Sequence, residues 1–369
     1  MLPYLSILAF IPIASMILKP QHSKGARLLF CWIIFGILAL LAMIRAYTVG
    51  IDTPQFIGAY QDIGFNSSFS LNQYRYEPGF TILCKLLNYV SNEPQLLLIV
   101  SGAFIMYAVG YTVYHLSRDV ALSAFLFVSM TMYTAYLNVM RQAIAVGFIL
   151  LGYCKLLDRR WGFAVCFFLS ATLFHQSAWL VLFTLPLTFF RFNKKVLFTY
   201  LLSILVMCIF SNKLTSFLAW ILGREQLYSS EFMQANYFGA LIQLMFALSV
   251  TMMCFFYLYN APIECESANR ISVFYKHILM LWITFLAVGM RVEILNRLSY
   301  YFGIIVILIV PYVFSRIKRK ERFWVMILFC IVCIAYFIII GVYRPQWHGS
   351  IPYEFNIEGV SQVFYDIFH

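Results

Sequence analysis

About twelve apolar runs alternate with polar stretches, and most are near the ~20 residues that a helix needs to cross a bilayer. They cover residues 2–18, 28–47, 95–114, 120–137, 139–157, 162–174, 177–190, 196–210, 237–259, 278–290, 298–314 and 323–342. Strand-like alternation is absent, and in lipid only helices and closed barrels satisfy their own backbone hydrogen bonds. The pattern predicts an all-α polytopic membrane protein, some of its transmembrane helices half-length or re-entrant. One helical domain over residues 1–369 is the simplest organisation. Run 2–18 has neither a basic head nor a small-residue cleavage site, so it reads as a retained helix and not a cleaved signal.

The stretch 162–190 is ambiguous by length. As a single helix its 29 residues would measure roughly 43 Å against a ~30 Å hydrocarbon core. Two half-length helices meeting at His175-Gln176-Ser177 return the chain to the side from which it came, and basic residues at both ends favour that hairpin. Three polar segments face the opposite side. Residues 48–94 form a loop whose moderately apolar part, 81–90, is short for a span and suited to the membrane interface. Residues 211–236 include Trp220, Arg224, Glu225 and Tyr228, and residues 343–369 form an aromatic tail containing Trp347, His348, Tyr353 and Glu354.

Composition sharpens the class. Hydrophobic residues make up 63% of the 369 and charged residues 11%, far from the balance of a soluble domain. A net charge of +11 would suggest nucleic acid in a soluble protein; here the positive-inside rule accounts for it without that partner. Alternating the loops puts 17 of the 26 basic residues with 5 of the 15 acids on one side, from Lys19 to Arg322. That side is cytoplasmic, and both termini then face outward. The nine cysteines lie mostly inside apolar runs without the spacing of a disulfide framework or a zinc site. Cys330-x-x-Cys333 has redox spacing but sits mid-helix, where small polarizable packing residues are expected.

Oddly placed polar residues supply the candidate chemistry. Arg141 opens the run 139–157, where its charge and the positive end of its own helix would both favour an anion. Arg291 and Arg297 flank Glu293 between two spans; they read either as a phosphate clasp or as snorkelling side chains paired with Glu293. His175 fits a general base near neutral pH and equally a hydrogen-bonded structural residue at a turn. Glu77, two residues after Arg75, is either a carboxylate that could take a proton from a sugar hydroxyl or ordinary loop structure. Asp52 is similarly open. Signatures of metal hydrolases, serine hydrolases and phosphate-binding loops are absent, and the longest cytoplasmic loop, residues 260–276, is too short to fold alone. The expected chemistry is outward, with no metal and no cofactor.

At these residues the chain resembles the EpsG family of polysaccharide polymerases, related to the Wzy-type O-antigen polymerases. The matching pieces are residues 52–60, Arg75-Tyr76-Glu77-Pro78-Gly79-Phe80, Met140-Arg141-Gln142-Ala143-Ile144-Ala145, Phe174-His175-Gln176-Ser177-Ala178, Arg297-Leu298-Ser299-Tyr300-Tyr301, and Tyr343 with the tail around Trp347 and Tyr353. The resemblance implies a metal-independent, C-class-like glycosyltransferase in the bacterial inner membrane, active at the periplasmic face. It would transfer an undecaprenyl-pyrophosphate-linked glycan chain onto a new lipid-linked repeat unit, for O-antigen, capsule or exopolysaccharide. Donor and acceptor are then both lipid-linked oligosaccharides, and a chain-length regulator and a flippase are the expected partners. Arg141, Arg291 and Arg297 would hold pyrophosphate, His175 or Glu77 would be the base, and Asp52, Arg75, Gln142, Glu293 and Tyr300 would contact glycan. A surface-glycan ligase or acyltransferase is the alternative enzyme. A lipid-linked oligosaccharide flippase is the alternative from another class, although it would need charges along a path through the midplane and not at one face.

Overall fold

The computed structural model describes residues 1–65, 71–182, 184–188, 190–211, 213, 216, 237–260, 266–290 and 293–368. Among them the fold is helical, with one isolated antiparallel bridge between Arg45 and Phe355. The chain divides into two compact units, Met1–Leu182 with Phe329–His369, and Phe183–Leu328.

The first unit contains α1 (Leu2–Leu18), α2 (Lys24–Met43), α3 (Thr53–Phe65), α4 (Pro78–Asn88), α5 (Gln95–Leu116), α6 (Val120–Ser129), α7 (Met132–Asn138), α8 (Met140–Leu157) and α9 (Trp161–Thr172). Local chemistry sets several of their starts. The Ser23 hydroxyl accepts from the Ala26 N–H at the head of α2, and the Asp119 carboxylate accepts from the Ala121 and Leu122 N–H groups at the head of α6, each satisfying donors that a helix leaves unpaired. Pro78 opens α4, where a missing N–H costs nothing. Helix α5 packs on α2 and α8, and α9 packs on α8. Helix α8 is the inner member: 78% of the residues in its most apolar 18-residue stretch are buried, against 33% in that of α2.

The second unit contains α10 (Lys194–Ile209), α11 (Tyr237–Asn260), α12 (Glu266–Gly289) and α13 (Val306–Phe314), with α12 packed on both α10 and α11. His277 of α12 is buried with both ring nitrogens engaged: Nε2 lies 3.2 Å from the Phe190 carbonyl and Nδ1 3.0 Å from the Tyr200 hydroxyl. A carbonyl can only accept, so Nε2 donates to it, and Nδ1 accepts from tyrosine in the neutral ring. This is a structural histidine. Helix α14 (Arg319–Tyr343) carries the chain from the second unit back into the first, and α15 (Ile357–Phe368) ends it.

Among the described residues seven helices are long and apolar enough to cross a membrane, or eight if α6 and α7, bent by 55° at Met130 and Thr131, form one span. The expected count was about twelve. The difference lies in short elements: α1 has 17 residues, α9 has 12 and α10 has 16. The stretch 162–190 does break at His175, as the length argument required. Beyond the break, however, the chain forms a 3-10 turn at Gln176–Ala178 and a four-residue helix at Trp179–Leu182 in place of a second half-length helix.

Candidate active site

Three sequence pieces far apart in the chain converge in the first unit. Arg141 stands in the first turn of α8, just after a break at Val139 that separates α8 from α7. Glu77 immediately precedes α4 and is buried, its side chain turned to other partners than the helix end. His175 stands at the turn after α9.

Glu77 is the hub. Its Oε2 accepts from Arg141 Nη1, its Oε1 accepts from the Gln176 backbone N–H at 3.2 Å, and His175 Nδ1 lies 3.5 Å from the same Oε1. The backbone also joins the two segments. The Gly79 N–H donates to the Leu173 carbonyl at 2.8 Å, and a Cβ on Gly79 would come within 2.7 Å of that oxygen. Only glycine permits so close an approach.

Burial alone would push the Glu77 carboxyl up. The approach of His175 and the charge of Arg141 outweigh it and hold the group at about 2, below the ordinary 4.5. A carboxylate so stabilised is a poor proton acceptor near neutral pH. It can orient the two groups it touches, both more open than itself: side-chain exposure is 6% for Glu77, 15% for Arg141 and 23% for His175.

An aromatic box surrounds the arginine. The guanidinium carbon lies 5.6 Å from the ring centre of Phe56, 4.9 Å from Tyr76 and 5.9 Å from Phe80, within the range of cation–π attraction. Sequence reading missed these rings. The spacing of Tyr76 and Phe80, one helical turn apart around Glu77, was the available signal.

Loop and tail support the helix break that positions Arg141. Asn138 is buried, and its Oδ1 accepts from the Asp52 N–H at 2.8 Å. Gly50, at φ +101, would put a Cβ 2.9 Å from the Leu137 carbonyl. Its N–H donates to the Gly349 carbonyl at 2.7 Å, and His348 Nδ1 lies 3.1 Å from the Thr134 hydroxyl of α7. The C-terminal tail thus backs onto the loop 49–52, which backs onto the end of α7.

The remaining candidates fall elsewhere. Asp52 enters this support through its backbone, and Gln142 is buried beside Arg141 in α8. Arg75 is exposed, with its Nη2 donating to the Tyr76 hydroxyl at 3.2 Å. Arg297 and Tyr300 belong to the second unit; Arg297 is exposed and Tyr300 is buried. Next to them, the Asn296 amide donates to Gln243 Oε1 at 2.9 Å. Arg291, the Glu293 side chain, and Trp220, Arg224, Glu225 and Tyr228 in the segment 211–236 lie outside the described residues.

Fold and site together define a multi-pass helical membrane protein in which an arginine and a histidine, both partly exposed, gather on a buried carboxylate. The chain belongs to the EpsG family, whose model matches residues 28–355. It is 24% identical over 193 residues to the amylovoran biosynthesis protein AmsC of Erwinia amylovora, an alignment taking in 49% of this chain and 50% of AmsC. The chain therefore spans about half the length of that curated relative. No solved structure matches it.

Proposed function

We propose that this protein is a polysaccharide polymerase acting on lipid-linked sugars in the bacterial cytoplasmic membrane, with its site on the outward face. The observation that carries the reading is the convergence of Arg141 and His175 on the buried carboxylate of Glu77. Membership of the EpsG family and likeness to an amylovoran biosynthesis protein support a role in exopolysaccharide biosynthesis.

In this reading the acceptor hydroxyl attacks the anomeric carbon of the donor glycan. The new glycosidic bond forms as the bond to the pyrophosphate oxygen breaks, and undecaprenyl pyrophosphate leaves with the electron pair. Arg141 stabilises the negative charge that grows on the leaving group, helped by the N-terminal end of α8. His175 takes the acceptor proton on Nε2, because its Nδ1 side faces Glu77 and that contact sets the tautomer. Glu77 is then an orienting carboxylate, and the base is His175. Anion binding is also proposed for Arg297 and Arg291, and glycan contact for Asp52, Arg75, Gln142, Glu293 and Tyr300. The reaction asks for no divalent metal.

The test is a gel of surface polysaccharide from a deletion strain complemented with wild type or variants. Wild type restores a ladder of chain lengths. Arg141→Ala and His175→Ala, at normal protein level, leave single repeat units, because loss of one transition-state contact costs about 10²- to 10³-fold in rate. A normal ladder with Arg141→Ala would refute the assignment. A ladder that persists in the deletion strain while the glycan loses a substituent would favour a modifying enzyme.

A further inference from the structure

Two short helices of the first unit, α4 and α15, carry apolar faces that are exposed among the described residues. On α4, Phe80, Thr81 and Cys84 are buried, while Ile82, Leu86 and Tyr89 are exposed at intervals of four and three residues on the opposite face. On α15, Gly359 and Val363 are buried, and Ile357, Phe364 and Phe368 form an exposed face. Glu358 and Gln362 occupy the remaining sector, so α15 has a packed, an apolar and a polar side.

Both helices meet at one place. The Ser91 hydroxyl, in the turn after α4, donates to the Asp366 carboxylate of α15, and the Tyr60 hydroxyl donates to the Ser91 carbonyl at 2.6 Å. Four residues later Gln95 begins α5, one of the membrane-crossing helices. The junction therefore stands at the end of a span. With 11 and 12 residues, the helices are roughly 16 to 18 Å long, too short to cross a ~30 Å core. Short helices with one apolar face, fixed at the end of a span, satisfy that face by lying in the membrane surface.

We propose that α4 and α15 form a joint in-plane platform whose partner is the acyl and headgroup region of one leaflet. Apolar burial drives the insertion. Lys85 is the basic residue of α4, and its amine is turned onto the Ile63 and Gly64 carbonyls at 3.3 and 3.5 Å, while α15 contributes the acids Glu358 and Asp366. Neither helix offers the basic face that anionic lipids attract. Since Glu77 immediately precedes α4, the platform sets the Arg141 constellation at headgroup depth, where the pyrophosphate of a lipid-linked sugar would lie. That last consequence rests on the proposed function; the platform does not.

The experiment places a dansyl-bearing amino acid at position 86, 364 or 362 of the full chain, in phosphatidylcholine vesicles with or without doxyl-labelled lipid. Emission at 86 and 364 is expected to fall about twofold or more and at 362 to stay unchanged, at low and at high salt, as apolar insertion requires. The reading needs no turnover, so failure of the polymerase assignment would leave it standing. Quenching at only one of 86 and 364, quenching at 362 equal to theirs, or relief of quenching by salt would overturn the platform. Unquenched positions 86 and 364 that crosslink between chains would assign the face to a second copy instead.

Discussion

The anion-binding role proposed for Arg141 draws on the shape of its guanidinium, a planar fork of five donors, whose Nη1 the Glu77 carboxylate engages. Arg141→Lys tests the fork and not the charge: a lysine retains the charge but loses the planar array, so polymer yield should fall nearly as far as with alanine. Glu77 gives a pH prediction. Its carboxyl is depressed to about 2 from 4.5, so its ionised form adds stability that is complete above the unfolded value and is lost as pH falls toward the folded one. The melting temperature of wild type minus that of Glu77→Gln, measured in detergent, should be flat from neutral pH down to about 5 and should shrink below that. A difference that instead changed between neutral and mildly alkaline pH would mean that another group carries the effect.

At the scale of elements, the proposed site depends on one close backbone approach and one side-chain hydrogen bond. Gly79→Ala would drive a methyl against the Leu173 carbonyl and prise the Glu77 segment from the His175 turn. The expected result is about 1 to 3 kcal/mol of destabilisation in thermal unfolding and a shortened polysaccharide ladder; unchanged stability and ladder would show that this junction tolerates slack. Asn138→Ala removes the acceptor for the Asp52 N–H, and should lower polymer yield more than it lowers melting temperature because it loosens the break before Arg141. The helical runs and the break at His175 were legible from apolar run length and from polar residues in apolar surroundings. The pairing of Arg141 with Glu77 was not, because the partner lies 64 positions upstream and Arg141 has no acidic neighbour in its own segment. Nor was the return of the tail: nothing local in residues 343–369 indicates that Ala46 and Asn356 will exchange backbone hydrogen bonds with Glu354 and Ile44 at 2.9 and 2.8 Å.

For the whole molecule, membrane character followed from composition, whereas the division into two units did not, since apolar periodicity is similar throughout and unit membership depends on which helices touch. The short α1, α9 and α10 explain why a count of apolar runs exceeds the count of span-length helices. The excess of basic residues in one set of loops is the ground for the proposal that both termini face outward. Epitope tags at residue 1 and after residue 369 should therefore react with an antibody in spheroplasts before the membrane is permeabilised; a tag seen only after permeabilisation would reverse the assignment at that end and move the site to the other face.

The most direct measurement is the turnover of lipid-linked repeat units by purified protein in nanodiscs, comparing wild type with Arg141→Lys, Glu77→Gln and the double variant. Groups that act as one unit are non-additive. With chain folding unchanged by thermal unfolding, Arg141→Lys should lose about 10²- to 10³-fold, and the double variant should be little worse than the poorer single. Wild-type turnover in Arg141→Lys, or full additivity of the two losses, would contradict a site in which Glu77 works by holding Arg141 and His175.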